Sequence, residues 1–286
     1  MGRRTVRATA WLPFVALNLV GLTAYLHPFF VAGTTERDAR WFEHSADAPL
    51  IFGALAALCM ALLISDLTDG RLNSKSLAAL GVLAAFAAVM RTVTLPAGAN
   101  LYFFLVILGS FAFGVRMGFL LGALSFFLSA IVTGGVGPWL PFQMFASAWM
   151  GASVGMLRPV ALRLRFPFRL QVAMLVAMGV VWGLLFGAIT NLWTWPFWVA
   201  GPDVSYEPGL GLGETLRRYW NFYLLTSLGW DLMRSVCNGL VIAALGAPVL
   251  HALLRFRERF SWEAVAVYEP SDAAPDAPDT VPASGG

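Results

Sequence analysis

Charge is scarce in this sequence. Only 12% of its 286 residues are Asp, Glu, Lys or Arg, about half the share of an average soluble domain. With 58% hydrophobic residues and a mean hydropathy of +0.71, that shortage points to a membrane protein. The net charge is +3, which argues against nucleic acid as a partner. Cysteine is equally sparse. Cys59 and Cys237 each sit inside an apolar run, so neither a disulfide framework nor a metal site with clustered ligands is present. No G-x-x-x-x-G-K-[ST] occurs, which excludes P-loop binding of ATP phosphates, and H-E-x-x-H, G-x-S-x-G and EF-hand patterns are missing too.

What the chain has instead is long apolar runs. A helix needs roughly 20 such residues to cross the hydrocarbon. Eight candidates fall at 11–33, 48–65, 76–95, 101–115, 117–133, 141–158, 171–191 and 225–247. The fourth and fifth are separated by Val115-Arg116-Met117-Gly118, which predicts a tight helical hairpin. The first is too long for a signal-peptide core, lacks an A-x-A cleavage pattern, and reads as an anchor that stays. Arg3, Arg4 and Arg7 place the N-terminus inside. With eight crossings, Arg71 and Lys75, then Arg116, then Arg158, Arg163, Arg165 and Arg169, and finally Arg255, Arg257 and Arg259 also fall inside. The opposite loops are poorer in Arg and Lys, as the positive-inside rule requires. The expectation is a multi-pass protein of the cell membrane with both termini cytoplasmic. The segment SDAAPDAPDTVPASGG is acidic, rich in Pro and Ala, and reads as disordered.

Polar and aromatic residues gather at the outer ends of the later spans. Arg91 ends the third, Asn100 and Tyr102 open the fourth, and Trp139 and Gln143 open the sixth. Asn191, Trp193, Trp195 and Trp198 end the seventh, before an aromatic external loop at 199–224. An interfacial aromatic belt accounts for about half of these, but not for Arg91, Gln143 and Asn191 at similar depth on three helices. In the last span, beside Trp230, Asp231, Arg234 and Asn238 are spaced i, i+3, i+7 and share one face, roughly 9–20 Å inside. A charge there costs at least about 2.5–3.5 kcal/mol, which predicts an Asp231–Arg234 pair. Its role is either to fix the helix or to form a binding or coupling site. Asp66 and Asp69, beside Gly70, read as a solvated turn. Small residues four apart, Gly81 with Ala85 and Ala84 with Ala88, favour close helix contact, within the chain or with a partner.

Together, Arg91 to Pro96, the hairpin at Arg116 and GGVGPWLPFQMFASAWMG (134–151) resemble the substrate-binding S component of energy-coupling factor (ECF) vitamin importers. NLWTWPF (191–197) and TSLGWDLMRSVCN (226–238) resemble an actinobacterial type of that family. The resemblance covers about 76–250. It implies an all-α polytopic protein with a six-helix substrate-binding core at 76–250, behind an N-terminal anchor of two extra transmembrane helices at 1–75. A basic, then acidic, tail at 251–286 follows. It also implies a vitamin bound under the loops 92–100, 134–140 and 192–224, no catalytic residues, no metal and no cofactor. The partners it implies are a transmembrane coupling (T) subunit and two cytoplasmic ATPase subunits. The coupling subunit would touch Ala78, Gly81, Ala84, Ala85 and Ala88.

Read this way, Trp139 is a flat wall on a stiff Gly/Pro loop and Gln143 a donor and acceptor beneath it. Trp193 and Trp195 would stack on the ligand, with polar contacts from Arg91, Asn100, Gln143 and Asn191. Trp230, Asp231, Arg234 and Asn238 complete the candidate binding set. Cobalamin or a precursor is the expected ligand, since the long aromatic loop could cover a large molecule. Thiamine and riboflavin stay open. Two other readings stand beside this one. One is an integral membrane enzyme on lipid-linked substrates using Asp66 and Asp69 or Asp231. The other is a secondary transporter with Asp231 as its proton site, although no internal repeat is visible.

Overall fold

A computed structural model describes residues 11–31, 37–70, 72–95, 99–198 and 201–260. Arg3, Arg4, Arg7, Arg71, Pro96 and the acidic tail lie outside the described residues. Among the described residues nine α-helices follow one another: α1 (Leu12–Val31), α2 (Arg37–Thr68), α3 (Ser74–Thr92), α4 (Tyr102–Phe113), α5 (Val115–Thr133), α6 (Leu140–Arg163), α7 (Phe168–Thr194), α8 (Leu212–Thr226) and α9 (Leu228–Phe260). The fold is all-α, and the described residues hold no strand beyond an isolated bridge between Thr94 and Asn100.

Among the described residues, six helices are long and apolar enough to cross a membrane: α1, the 48–68 part of α2, α3, α5, α7 and α9. The other two expected spans differ for a physical reason. Helix α4 has 12 residues, all but its last buried, and at 1.5 Å per residue reaches only about 18 Å. Helix α6 has 24 residues but carries Gln143, Ser147 and Ser153 among its glycines and alanines. Both sit inside the bundle, so neither needs a lipid-facing apolar surface. The expected turn at Val115–Gly118 is helix; the break is Gly114 alone, at φ +94°, a left-handed value that favours glycine. Helix α5 ends on left-handed Gly134, whose neighbour Gly135 donates back to the Ala130 carbonyl at 2.8 Å. The expected outer loop at 199–224 contains α8, and the last helix runs to Phe260 rather than ending near 247.

Glycine sets the packing. In lipid no hydrophobic drive pulls helices together, so contact depends on close backbone approach. A Cβ at Gly118 would strike the Gly151 carbonyl, one at Gly122 the Ser147 carbonyl, and one at Gly155 would lie 2.6 Å from Gly114. Helices α5 and α6 therefore meet backbone to backbone. The Tyr102 hydroxyl of α4 lies at this seam, 3.0 Å from the Gly122 carbonyl and within hydrogen-bond distance of Ser125 and Ser147.

The first two helices are not a detached anchor. Asn18 accepts a hydrogen bond from the Trp149 indole at 2.9 Å, and Tyr25 donates to the Phe142 carbonyl at 2.6 Å. Gly21 admits the Phe145 and Trp149 rings. At the bundle end where the arginines collect, Arg116 pairs with Asp66 and lies 4.5 Å over the Trp11 ring. Asp66 is buried, so the solvated-turn reading fails. A carboxylate there would be costly without its guanidinium.

Gly122→Ala forces the Ser147 backbone away and is expected to cost about 1–3 kcal/mol. Gly81→Ala meets nothing within 4 Å and is expected to leave stability unchanged. Thermal unfolding of both variants in detergent checks this, and equal midpoints would refute the seam.

Candidate functional site

Helix α9 presents its polar face to α7. Asp231 accepts from Arg234 at 2.7 Å, and the same guanidinium nitrogen donates to the Gly183 carbonyl at 3.2 Å. Ser235 donates to the Val180 carbonyl at 2.7 Å and Asn238 to that of Gly179 at 3.2 Å. Room for this seam comes from Gly179, Gly183 and Gly187. A side chain at Gly183 would strike Ser235, and one at Gly187 the Asp231 carboxylate. The pair sits shallower than expected, because α9 begins at Leu228 and Asp231 occupies its first turn. A carboxylate is favoured there by the helix dipole. Asp231 and Asn238 thus serve as interhelical joints, and Arg234 serves both the joint and the rings beyond it.

Those rings form an array. Arg234 lies 5.4 Å over Phe186 and 5.6 Å over Phe103. Phe186 stacks on Phe126 at 5.8 Å, and Arg91 lies 4.1 Å over the other ring of that pair. Arg91 also donates to Ser129 at 3.1 Å and has no carboxylate partner among the described residues. Five helices (α3, α4, α5, α7 and α9) therefore bring two guanidiniums onto one phenylalanine cluster, and the quadrupole of each ring favours the cation over its face.

The remaining expected residues divide. Gln143 is half-buried one turn after Trp139, whose carbonyl accepts from its backbone N–H at 3.1 Å, and its side-chain amide has no hydrogen bond among the described residues. Trp139 is exposed; its indole donates to the Gly135 carbonyl at 3.2 Å and folds over Gly137. These two stay accessible. Asn191 donates to Ser227 at 2.6 Å and ties α7 to the α8–α9 junction. Asn100 accepts from the Tyr102 amide at 3.1 Å and serves as a local turn. Trp193 is buried and stacked on Phe142 at 4.9 Å. Trp195 is fully buried: its indole donates to Val204 at 2.8 Å, and its ring meets Phe29, Tyr206 and Tyr219. It is the centre of a cap rather than an open stacking wall. Trp230 is exposed on the bundle surface.

The cap extends onto α8. Tyr219 and Tyr223 donate to the Ala188 and Leu184 carbonyls. Burial raises both hydroxyls well above their ordinary range, keeping them donors. On the flank, hydrogen bonds from Arg217 and Arg218 lower the Glu214 carboxyl to about 2.

The five small residues of α3 do not share one face. Ala84 and Ala88 are buried within the bundle; Ala78, Gly81 and Ala85 are exposed. A set spanning 78 to 88 straddles the boundary between two faces at about 100° per residue. Beside the exposed part, an apolar groove of about 730 Å³ runs between α3 and α9, lined by Ala78, Val82, Phe86, Val249 and Leu253, with Lys75 also on its wall.

Sequence reasoning missed Phe103, Phe126 and Phe186, which look like ordinary lipid-span residues until the fold stacks them. It also missed Gly179, Gly183 and Gly187, although their i, i+4, i+8 spacing is a readable packing signal.

An all-helical membrane bundle with a polar seam and a ring-and-guanidinium array near one end defines a polytopic membrane protein. A family model described as the substrate-specific component of ECF transporters matches residues 75–246, more than half of the chain, and the chain belongs to that family. Its members are substrate-binding transporter subunits that work with coupling and ATPase subunits. Helices α1 and α2 precede the matched region. No curated protein and no solved structure matches the chain.

Asp231→Asn strips Arg234 of its counter-charge. Breaking one side of a buried pair costs about 3–5 kcal/mol, and the lower end applies because Arg234 is partly exposed. Asp231→Asn with Arg234→Gln is expected to lose less stability than Asp231→Asn alone; equal losses in thermal unfolding would mean the two act separately. Glu214 gives a pH signature. Its folded value lies below the ordinary 4.5, so its contribution is complete above that pH and is lost as pH falls toward about 2. Glu214→Gln is expected to remove that acid-side transition from the near-ultraviolet circular dichroism of the cap.

Proposed function

We propose that this chain is the substrate-capture subunit of an ATP-driven vitamin importer, with cobalamin or a precursor as the leading ligand. The end of the bundle carrying Trp139 and α8 faces outward, and both termini are cytoplasmic. The orientation is supported by the arginines that collect at the opposite end, at 116, 158, 163, 165 and 169.

The observation that carries this reading is the Arg91–Phe126–Phe186–Arg234 array. Among the described residues, Arg91 is a guanidinium without an acidic partner and Gln143 has a side-chain amide without a hydrogen bond, each at the aromatic end. Pockets for small molecules combine apolar and aromatic walls with a few such placed polar groups. Arg91 and Gln143 hold polar groups of the ligand, and Trp139 covers it from the Gly134–Gly137 loop. Asn100, Asn191, Trp193, Trp195, Asp231 and Asn238 act one step back, holding the helix ends and the cap in place. The groove between α3 and α9, with exposed Ala78, Gly81 and Ala85 beside it, receives the coupling subunit, and two ATPase subunits supply the energy. The paired state of Asp66 with Arg116 speaks against the lipid-enzyme reading, because that carboxylate is already committed.

The test is to purify the full chain in detergent, search its absorbance and mass for a co-purified vitamin, and titrate cobalamin, riboflavin and thiamine against tryptophan fluorescence. One of them is expected to bind saturably. Arg91→Gln and Gln143→Ala are each expected to weaken it about tenfold or more, the value of one charged or buried hydrogen bond. No co-purified vitamin and no binding to any of the three would overturn the vitamin reading.

A further inference from the structure

Helix α8 meets three environments. Phe222 and Tyr223 are buried against the bundle, joined by Tyr219. A second sector carries Glu214, Arg217, Arg218 and Asn221. There Glu214 accepts from both arginines at 2.7–2.9 Å, Arg217 reaches Asp203, and Arg218 reaches Glu207. This sector is water-facing and both guanidiniums are paired with carboxylates; Leu225, 77% exposed, follows on the same side beyond Asn221. The third sector is a stripe of Leu212, Leu216, Trp220 and Leu224, exposed by 76, 57, 57 and 40%. Their spacing of four sweeps only about 40° per step, so all four fall within roughly one third of the helix circumference.

A helix between protein and water needs two sectors, not three. An unbroken row of large apolar side chains facing water would cost about 25 cal/mol for each Å² left exposed. The occupant follows from what adjoins the stripe. Ser227 alone separates α8 from α9, a helix long and apolar enough to span a membrane. Trp230, Leu232 and Leu240 are exposed along α9, so its lipid-facing surface begins within two turns of Leu224. Trp198, which packs on Phe222 at 6.1 Å, is also exposed, and indoles favour the headgroup boundary.

We propose that α8 is an interfacial helix that seats Leu212, Leu216, Trp220 and Leu224 among the acyl chains at the headgroup boundary of the bilayer. Because Arg217 and Arg218 are matched by carboxylates, the contact is apolar and independent of anionic lipid. The helix thereby holds the Trp195 cap between the membrane surface and α7. This surface does not depend on which substrate the protein carries.

The test uses the full chain with Cys59→Ala and Cys237→Ser, reconstituted in phosphatidylcholine vesicles with and without phosphatidylglycerol. Nitroxide labels are placed one at a time through Leu216→Cys, Trp220→Cys, Leu224→Cys, Arg217→Cys and Asn221→Cys. Relaxation by oxygen is compared with relaxation by a water-soluble nickel chelate. Oxygen is expected to dominate severalfold at 216, 220 and 224, and nickel at 217 and 221, alike in both vesicles. Nickel access along the stripe would place it in water, and access by neither reagent would place it under protein. Dependence on phosphatidylglycerol would make the contact electrostatic. Each of these overturns the proposal. Independently of labelling, brominated phosphatidylcholine is expected to quench less of the fluorescence in Trp220→Phe than in the native chain; equal fractional quenching also overturns it.

Discussion

Backbone meeting backbone at glycine is the constraint from which the rest of this bundle follows. Lipid chains are as apolar as leucine, so burying leucine against leucine gains little inside a membrane, and stability must come from dispersion contact and interhelical hydrogen bonds. Both require close approach. Gly118, Gly122, Gly151 and Gly155 provide it between α5 and α6, and Gly179, Gly183 and Gly187 between α7 and α9. Once α7 and α9 are that close, the carbonyls of Gly179, Val180 and Gly183 come within reach of Asn238, Ser235 and Arg234. The polar face of α9 is affordable only because those acceptors are there.

The same closeness decides which charged groups are committed and which remain available. Arg234 divides itself between Asp231, a backbone carbonyl and two phenylalanine rings. Asp66 and Arg116 neutralise each other at the opposite end, where they join α2 to the α4–α5 corner. Among the described residues, Arg91 has a hydroxyl and a ring but no carboxylate. In a medium that penalises uncompensated charge, Arg91 is held by that hydroxyl and ring face rather than by an ion pair. Helices α1 and α2, outside the family match, hold the core at both ends and along the face of α6. They support the wall formed by Phe142, against which Trp193 stacks.

The aromatic end is built differently from the core. There the chain must face protein, water and lipid within a few ångströms, and α8 assigns one sector of its surface to each. Trp195 fills the angle between α8, the 201–206 turn and the end of α1, so the cap is a packed aromatic unit.

The amino-acid sequence by itself determined the helical class, the approximate positions of the spans and the Asp231–Arg234 pair. Each is a local property: hydropathy over twenty residues, or i, i+3 spacing on one helix. Family membership was legible for the same reason, in short contiguous motifs such as the one at 134–151. Only the tertiary structure decided that α4 is a short buried helix, that Asp66 is paired rather than solvated, and that Trp195 lies within a cap. It alone brought Phe103, Phe126 and Phe186 into contact with two arginines, and it divided Ala78, Gly81 and Ala85 from Ala84 and Ala88. These depend on which helix lies beside which, and a chain in lipid sets that through close glycine contacts between segments distant in sequence, which no local pattern of hydrophobicity encodes.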